Sequence, residues 1–157
     1  MTSRKARLFV VALAVFTLSA CSTAASTTGG SSVSEGSIEL AVSETCTAGS
    51  DSDCVGVNGD SVVLPSEFDR ADVEDSRVAD TGTTGVEVTF TTAGAEVFRS
   101  LTEEAAGAGD SARLVIRVGG ELRAAVRVME ALDGDQVFIA LSPDDNAEEI
   151  VGLIKAG

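Results

Sequence analysis

The chain has 157 residues, with 25 acidic side chains against 11 basic ones, no histidine and a formal charge of −14. So negative a surface excludes general attraction to nucleic acid or to anionic lipid headgroups, since both need a basic face. Without histidine, the side chain that most often moves protons near neutral pH is missing as well.

The first residues divide into three parts. Met1 to Arg7 carries Arg4, Lys5 and Arg7 and no acid, and Leu8 to Ala20 is a 13-residue run whose only polar members are Thr17 and Ser19. Leu18-Ser19-Ala20-Cys21 follows. A basic start, a short apolar run and small residues before a cut define a secretory signal. The run falls short of the roughly 20 residues that a stable membrane-spanning helix needs. The Leu-Ser-Ala-Cys end resembles the bacterial lipobox, in which cleavage falls before the cysteine and the cysteine carries acyl chains such as palmitate. An ordinary signal peptide with a chance cysteine is the other reading, and the position of Cys21 favours the lipobox. Residues 1–20 are thus expected to be an export signal and Cys21 the lipidation site. The chain is then held to the cell membrane on its extracytoplasmic face. Cleavage removes three basic residues and no acid, leaving 137 residues at a formal charge of −17. The lipid has to make the membrane attachment, stably so when several chains are present.

Residues 21–36 are rich in Ser, Thr, Ala and Gly with Glu35 as the one charge, the composition of a flexible tether. Residues 37–157 are long enough for one domain with its own core. Near its start stand Cys46 and Cys54. Outside the cytoplasm two such cysteines pair, and a loop this short gives roughly 2–3 kcal/mol. Two thiols without histidine do not complete a tetrahedral zinc site. Asp51, Asp53, Asn58 and Asp60 faintly resemble a calcium loop, but Val55 holds the fifth position and no glutamate holds the twelfth. A disulfide-tied acidic turn is the simpler reading, and no metal or cofactor is predicted.

Ile38, Leu40 and Val42 alternate with Glu39, Ala41 and Ser43, as a half-buried strand does. Val62 to Leu64 and residues 71–79 are further strand candidates, and Gly82 to Gly85 reads as a turn. Val86, Val88 and Phe90 alternate with Glu87, Thr89 and Thr91. Thr92 is placed to cap a helix through Ala106, with Val97, Phe98, Leu101 and Ala105 on its buried face. Gly107 and Gly109 end it. Leu114, Ile116 and Val118, then Leu122, Ala124, Val126 and Val128, alternate on either side of Gly119-Gly120 and so predict a hairpin. A two-residue loop would set Ile116 against Arg123, an inward residue against an outward one, the wrong register for a one-sided sheet. A three-residue loop instead pairs Val118 with Leu122, Ile116 with Ala124 and Leu114 with Val126.

That register puts Arg113, Arg117, Arg123 and Arg127 on the outer face, with Arg117 against Arg123 and Arg113 against Arg127. Like charges directly opposite are destabilising. Two readings follow. Acids such as Glu87 neutralise the arginines within the domain, or the four form a patch that binds anions or acidic peptides. Gln136 to Leu141 is the last strand. Ser142-Pro143-Asp144-Asp145 has the chemistry of a helix start, and Ala147, Ile150, Val151 and Ile154 form that helix's apolar face. The fold class is α+β: a largely antiparallel sheet with two helices packed on one face.

Three stretches resemble the head part of the first large extracytoplasmic domain of the protein-translocase subunit SecD. Thr92-Ala93-Gly94-Ala95-Glu96-Val97-Phe98-Arg99-Ser100-Leu101-Thr102 is similar to that family's Thr-x-x-Gly-Ala-x-x-Phe-x-x-Leu-Thr pattern, with one intervening residue fewer. Gly120 to Val126 is similar to its Gly-x-Val-x-Ser-Ala-Pro hairpin, with Ala124 in place of serine and Val126 in place of proline. Asn146 to Gly157 is similar to its closing helix. The resemblance covers roughly residues 86–157. It implies an α+β head and contact with unfolded secretory polypeptide or translocon components. It does not imply proton-driven export, because SecD's membrane helices have no counterpart after residue 20.

An enzyme finds little support. Cys21 is assigned to lipid and Cys46 with Cys54 to each other. The carboxylate pairs Asp133 with Asp135, Glu103 with Glu104 and Glu148 with Glu149 lie on surface turns or helices, not across a cleft. The expected function is non-catalytic. It is polypeptide binding or docking by a membrane-anchored lipoprotein accessory to protein export, or else a structural or adhesive envelope role.

Overall fold

The computed structural model describes residues 35–49, 52–80 and 84–157. The expected export signal, Cys21, all but the last two residues of the expected tether, Asp51, and Gly82 and Thr83 of the Gly82–Gly85 turn lie outside these. The elements in chain order are β1 (Gly36–Glu44), β2 (Cys54–Val57), β3 (Asp60–Val63), β4 (Asp69–Val78), β5 (Gly85–Phe90), α1 (Thr92–Gly107), β6 (Ala112–Val118), β7 (Glu121–Val126), β8 (Gln136–Ala140) and α2 (Ala147–Ala156). Six strands form one sheet in the order β7-β6-β1-β4-β5-β8, and β2 with β3 form a separate hairpin. Every pairing is antiparallel. Among the described residues no helix is long and apolar enough to cross a membrane.

Period-two alternation sorts the side chains. Ile38 and Leu40 of β1, Val86, Val88 and Phe90 of β5, and Leu114, Ile116 and Val118 of β6 all point to one face, where both helices pack over β1 and β4. Phe98, Leu101 and Ala105 of α1 and Ala147, Ile150 and Ile154 of α2 complete that core. Val115 points the other way and is covered by Val57 and Val62 of the small hairpin. Strand β6 is therefore buried on both faces, which its unbroken run Leu114-Val115-Ile116 reflects. The expected Cys46–Cys54 bridge is present, with Cα atoms 6.0 Å apart, and it ties the chain entering this hairpin to the start of β2.

Both helix starts differ from the sequence expectation. Thr91, not Thr92, caps α1: its Oγ1 accepts from the Gly94 N–H at 3.1 Å. Helix α2 begins at Ala147 behind Asn146, whose side chain accepts from the Glu149 N–H at 3.0 Å. Ser142-Pro143-Asp144-Asp145 closes on itself as a turn instead. The Asp145 N–H donates to the Ser142 carbonyl at 3.0 Å and the Ser142 N–H donates to the Asp145 carboxylate at 3.1 Å. Asp145 also holds Arg123 at 2.8 Å, so its carboxylate is engaged with strand β7 and not with a helix dipole.

The β6–β7 hairpin corrects the expected register and keeps part of its consequence. Gly119 and Gly120 both have positive φ, 61° and 83°, and make a two-residue turn. Val118 then faces Glu121 and Arg117 faces Leu122. A register shift follows, with Arg123 as the extra residue, and beyond it Ile116 faces Ala124 and Leu114 faces Val126. The bulge absorbs the odd residue, so Ala124 faces the core as expected although the three-residue loop does not form, while Leu122, expected opposite Val118, falls on the other face and packs with Val115 against the small hairpin. Arg117 therefore does not meet Arg123. Arg127 lies past the end of β7, so it does not meet Arg113 either.

Candidate functional site

The sheet's two edge strands, β7 and β8, come round to face one another. Between them lies an apolar cavity of about 380 Å³ whose walls include Phe98, Ile116, Ala124, Val126, Val137 and Phe138. Its mouth is apolar too: Val126 is 46 % exposed, Leu132 43 % and Phe138 41 %. The cavity adjoins the main core, since Phe98, Ile116, Ala124 and Ile139 belong to both.

Each end of this slot has a defined closure. At one end stands Asn58, at the tip of the β2–β3 hairpin. Asn58 and Gly59 have φ of 50° and 90°, the pattern of a tight two-residue turn, and Asn is among the few non-glycine residues that tolerate it. The hairpin is seated on the sheet through Val57 and Val62, so its tip reaches both edges. Asn58 Nδ2 donates to the Arg123 carbonyl of β7 at 2.8 Å and lies 3.4 Å from the Ala140 carbonyl of β8. The Ser142 hydroxyl donates to Asn58 Oδ1. Asn58 thus clasps the two strands at this end. At the other end runs the 127–135 connection between β7 and β8. It is pinned by buried Val128, by the Leu132 N–H donating to the Thr102 hydroxyl at 3.1 Å, and by the Phe90 N–H donating to the Asp135 carbonyl at 2.6 Å. Met129 protrudes from this loop, 82 % exposed.

The four outward arginines are all held by acids. Arg117 makes a two-pronged contact with Glu39 at 2.8 and 2.7 Å and lies 3.7 Å over the Phe68 ring. Arg123 pairs with Asp145 at 2.8 Å and Glu121 at 2.6 Å, Arg113 with Asp60 at 3.6 Å, and Arg127 with Asp110. Neutralisation within the domain is the arrangement found. Its agents are not Glu87, which pairs with Arg77. Asp60, read as a possible calcium ligand, is taken by Arg113, and Asn58 by the strand carbonyls. Among the described residues no group of three acidic or cysteine side chains is placed to hold a metal.

Arg117 has a measurable consequence. Its hydrogen bonds to Glu39 hold that carboxyl below the usual carboxylate range, against partial burial, which pushes the other way. A carboxyl depressed in the folded state stabilises above its unfolded value and loses that contribution as pH falls through the folded one. With side chains 29 % and 37 % exposed, the pair contributes under about 1 kcal/mol. Glu39→Gln should lower the urea midpoint slightly at neutral pH. The gap should close as the pH falls through Glu39's own depressed value, below which Glu39 is itself neutral. A gap that persists in acid would mean that packing, not charge, sets the effect.

No protein-family model matches the chain, and no curated protein matches it significantly. Among solved structures it is similar to the crystal structure of SecDF in the super-membrane-facing form, at 20 % identity and a TM-score of 0.49, over 78 % of this chain and 18 % of that one. The chain thus spans under a fifth of the length of that protein.

Proposed function

We propose that this chain is a lipid-anchored extracytoplasmic module, accessory to protein export, that binds an extended polypeptide in the slot between β7 and β8 without turnover. The observation that carries the reading is the slot itself. Two sheet edges flank it, and an edge offers a row of unpaired N–H and C=O groups to an added strand. Main-chain pairing tolerates many sequences, and alternate apolar side chains of the guest would enter the cavity. The motif resemblance to the SecD head and the lipobox supply the setting: a tether from Cys21 that lets the domain reach an emerging chain while staying at the membrane.

The test has two arms. In cells, Cys21→Ser should move the chain from the membrane fraction to the soluble one. In vitro, the chain from residue 22 onward keeps every described element. It should bind reduced, unfolded secretory proteins and ignore their folded forms. Equal or absent binding to both would leave a structural or adhesive envelope role. Uptake of a fluorescent fatty acid, with no peptide binding, would make the slot a lipid site and overturn the proposal.

A further inference from the structure

The charge around the slot narrows the class of segment it takes, on the footing that it takes polypeptide at all. Seven arginines and one lysine stand among the described residues, and each lies within ion-pair distance of a carboxylate. Among the described residues no basic side chain is left over, while many acids are. Two of the surplus acids, Glu130 and Asp135, sit in the exposed 127–135 connection that closes one end of the slot. Glu96 of α1 lines the same shallow depression as Asp135, together with Arg99, whose charge is matched by Asp133 at 3.9 Å. The cavity walls between the edges are apolar and carry no ionisable group. A guest strand thus meets apolar surface along its length and net negative charge at the 127–135 end.

We infer that the slot's occupant is an extended segment of five or six residues with alternating apolar side chains and a basic flank, the flank lying against Glu96, Glu130 and Asp135. The length follows from the edges, six residues in β7 and five in β8. The edges run antiparallel to each other, so a single inserted strand pairs antiparallel with one and parallel with the other. The basic flank, not strand pairing, therefore fixes which way round the guest lies. Acidic segments are disfavoured, because the arginines that would receive them are already engaged and the surplus field repels them.

Three synthetic peptides separate the possibilities. Each has the same six-residue alternating Val/Thr core, flanked by lysine, serine or glutamate pairs, and binding to the chain from residue 22 onward is read by fluorescence anisotropy. At about 20 mM salt the lysine-flanked peptide should bind at least ~10-fold tighter than the glutamate-flanked one, with serine between. At about 300 mM the spread should shrink to within ~3-fold as the charges are screened. The triple variant Glu96→Gln, Glu130→Gln, Asp135→Asn should weaken the lysine-flanked peptide at least ~3-fold and leave the serine-flanked one unchanged. Equal binding of all three peptides, or tighter binding of the glutamate-flanked one, overturns the charge inference and leaves the polypeptide reading standing. Absence of binding by all three overturns both.

Discussion

Gly94→Ala should destabilise the domain by about 2–3 kcal/mol, although it replaces a poor helix former with the best one. Gly94 lies in the first turn of α1. A methyl group there would sit 2.1 Å from the Asp72 carbonyl oxygen and 2.9 Å from the Asp72 nitrogen, both backbone atoms of β4. Helix α1 cannot simply back away. The same Asp72 carbonyl accepts the Thr91 N–H at 3.0 Å and lies 3.3 Å from the Thr91 hydroxyl, so the cap and the close approach are one joint. Relief would open the contact beneath Phe98, which stacks on Phe90 at 5.1 Å between ring centres. Gly107 ends the same helix with nothing within 4 Å of an added methyl. Gly107→Ala should be neutral or gain up to about 1 kcal/mol. Thermal unfolding of the two variants beside the parent checks this: a fall of roughly 8–12 °C for Gly94→Ala and no fall for Gly107→Ala. Equal shifts in the same direction would remove close packing as the reason for the glycine.

That glycine shows what the sequence made legible. It stands in the Gly94-Ala95 pair that carries the resemblance to the SecD head, and the contact with β4 supplies a physical reason for a glycine there. The strands that alternate cleanly, β1, β5 and β6, were readable from period two, β7 only beyond its bulge at Arg123, and both helix faces from three- and four-residue spacing. Strand β4 was legible as a candidate over residues 71–79, but its faces were not readable, because its register shifts between Val73 and Asp75. Val73 and Ser76 are both buried although three residues apart, so no single alternation spans the strand. The β2–β3 hairpin was missed for another reason. The acidic residues around Cys54 suggested a loop, yet Asn58-Gly59 between Val55-Val57 and Val62-Val63 is a strong two-residue hairpin signal and was available.

The site was less legible than the fold. Arg113, Arg117, Arg123 and Arg127 stood out as a basic cluster in an acidic chain, but their partners Glu39, Asp60, Asp110 and Asp145 come from distant positions that only the tertiary structure brings up. The slot depends on the sheet bending until its first and last strands face each other across a gap that Asn58 spans at one end. No local pattern encodes that. Asn58 is a functional candidate the sequence offered only as a weak calcium ligand. Its structural role, joining carbonyls 65 and 82 residues away along the chain, is invisible without the hairpin's seat on β6.

Ala124→Leu should act in opposite directions on stability and on binding. Ala124 is buried, faces Ile116 across β6–β7 and lines the slot. In a packed core the larger side chain would strain its neighbours, but here it projects into open apolar volume. Burying the added carbons there should raise stability by about 1 kcal/mol, with the entropy of fixing the longer side chain offsetting part of the gain. The same atoms occupy the space where a guest strand would place an apolar side chain. Affinity for an unfolded polypeptide should then fall at least ~10-fold, about 1.4 kcal/mol. Urea unfolding and peptide titration of one purified variant read both effects. A more stable variant that binds as well as the parent would place the polypeptide site elsewhere, on the outer sheet face or an edge away from the slot. A destabilised variant would show that the cavity is not the open volume the packing describes, and the slot would lose its claim to a guest.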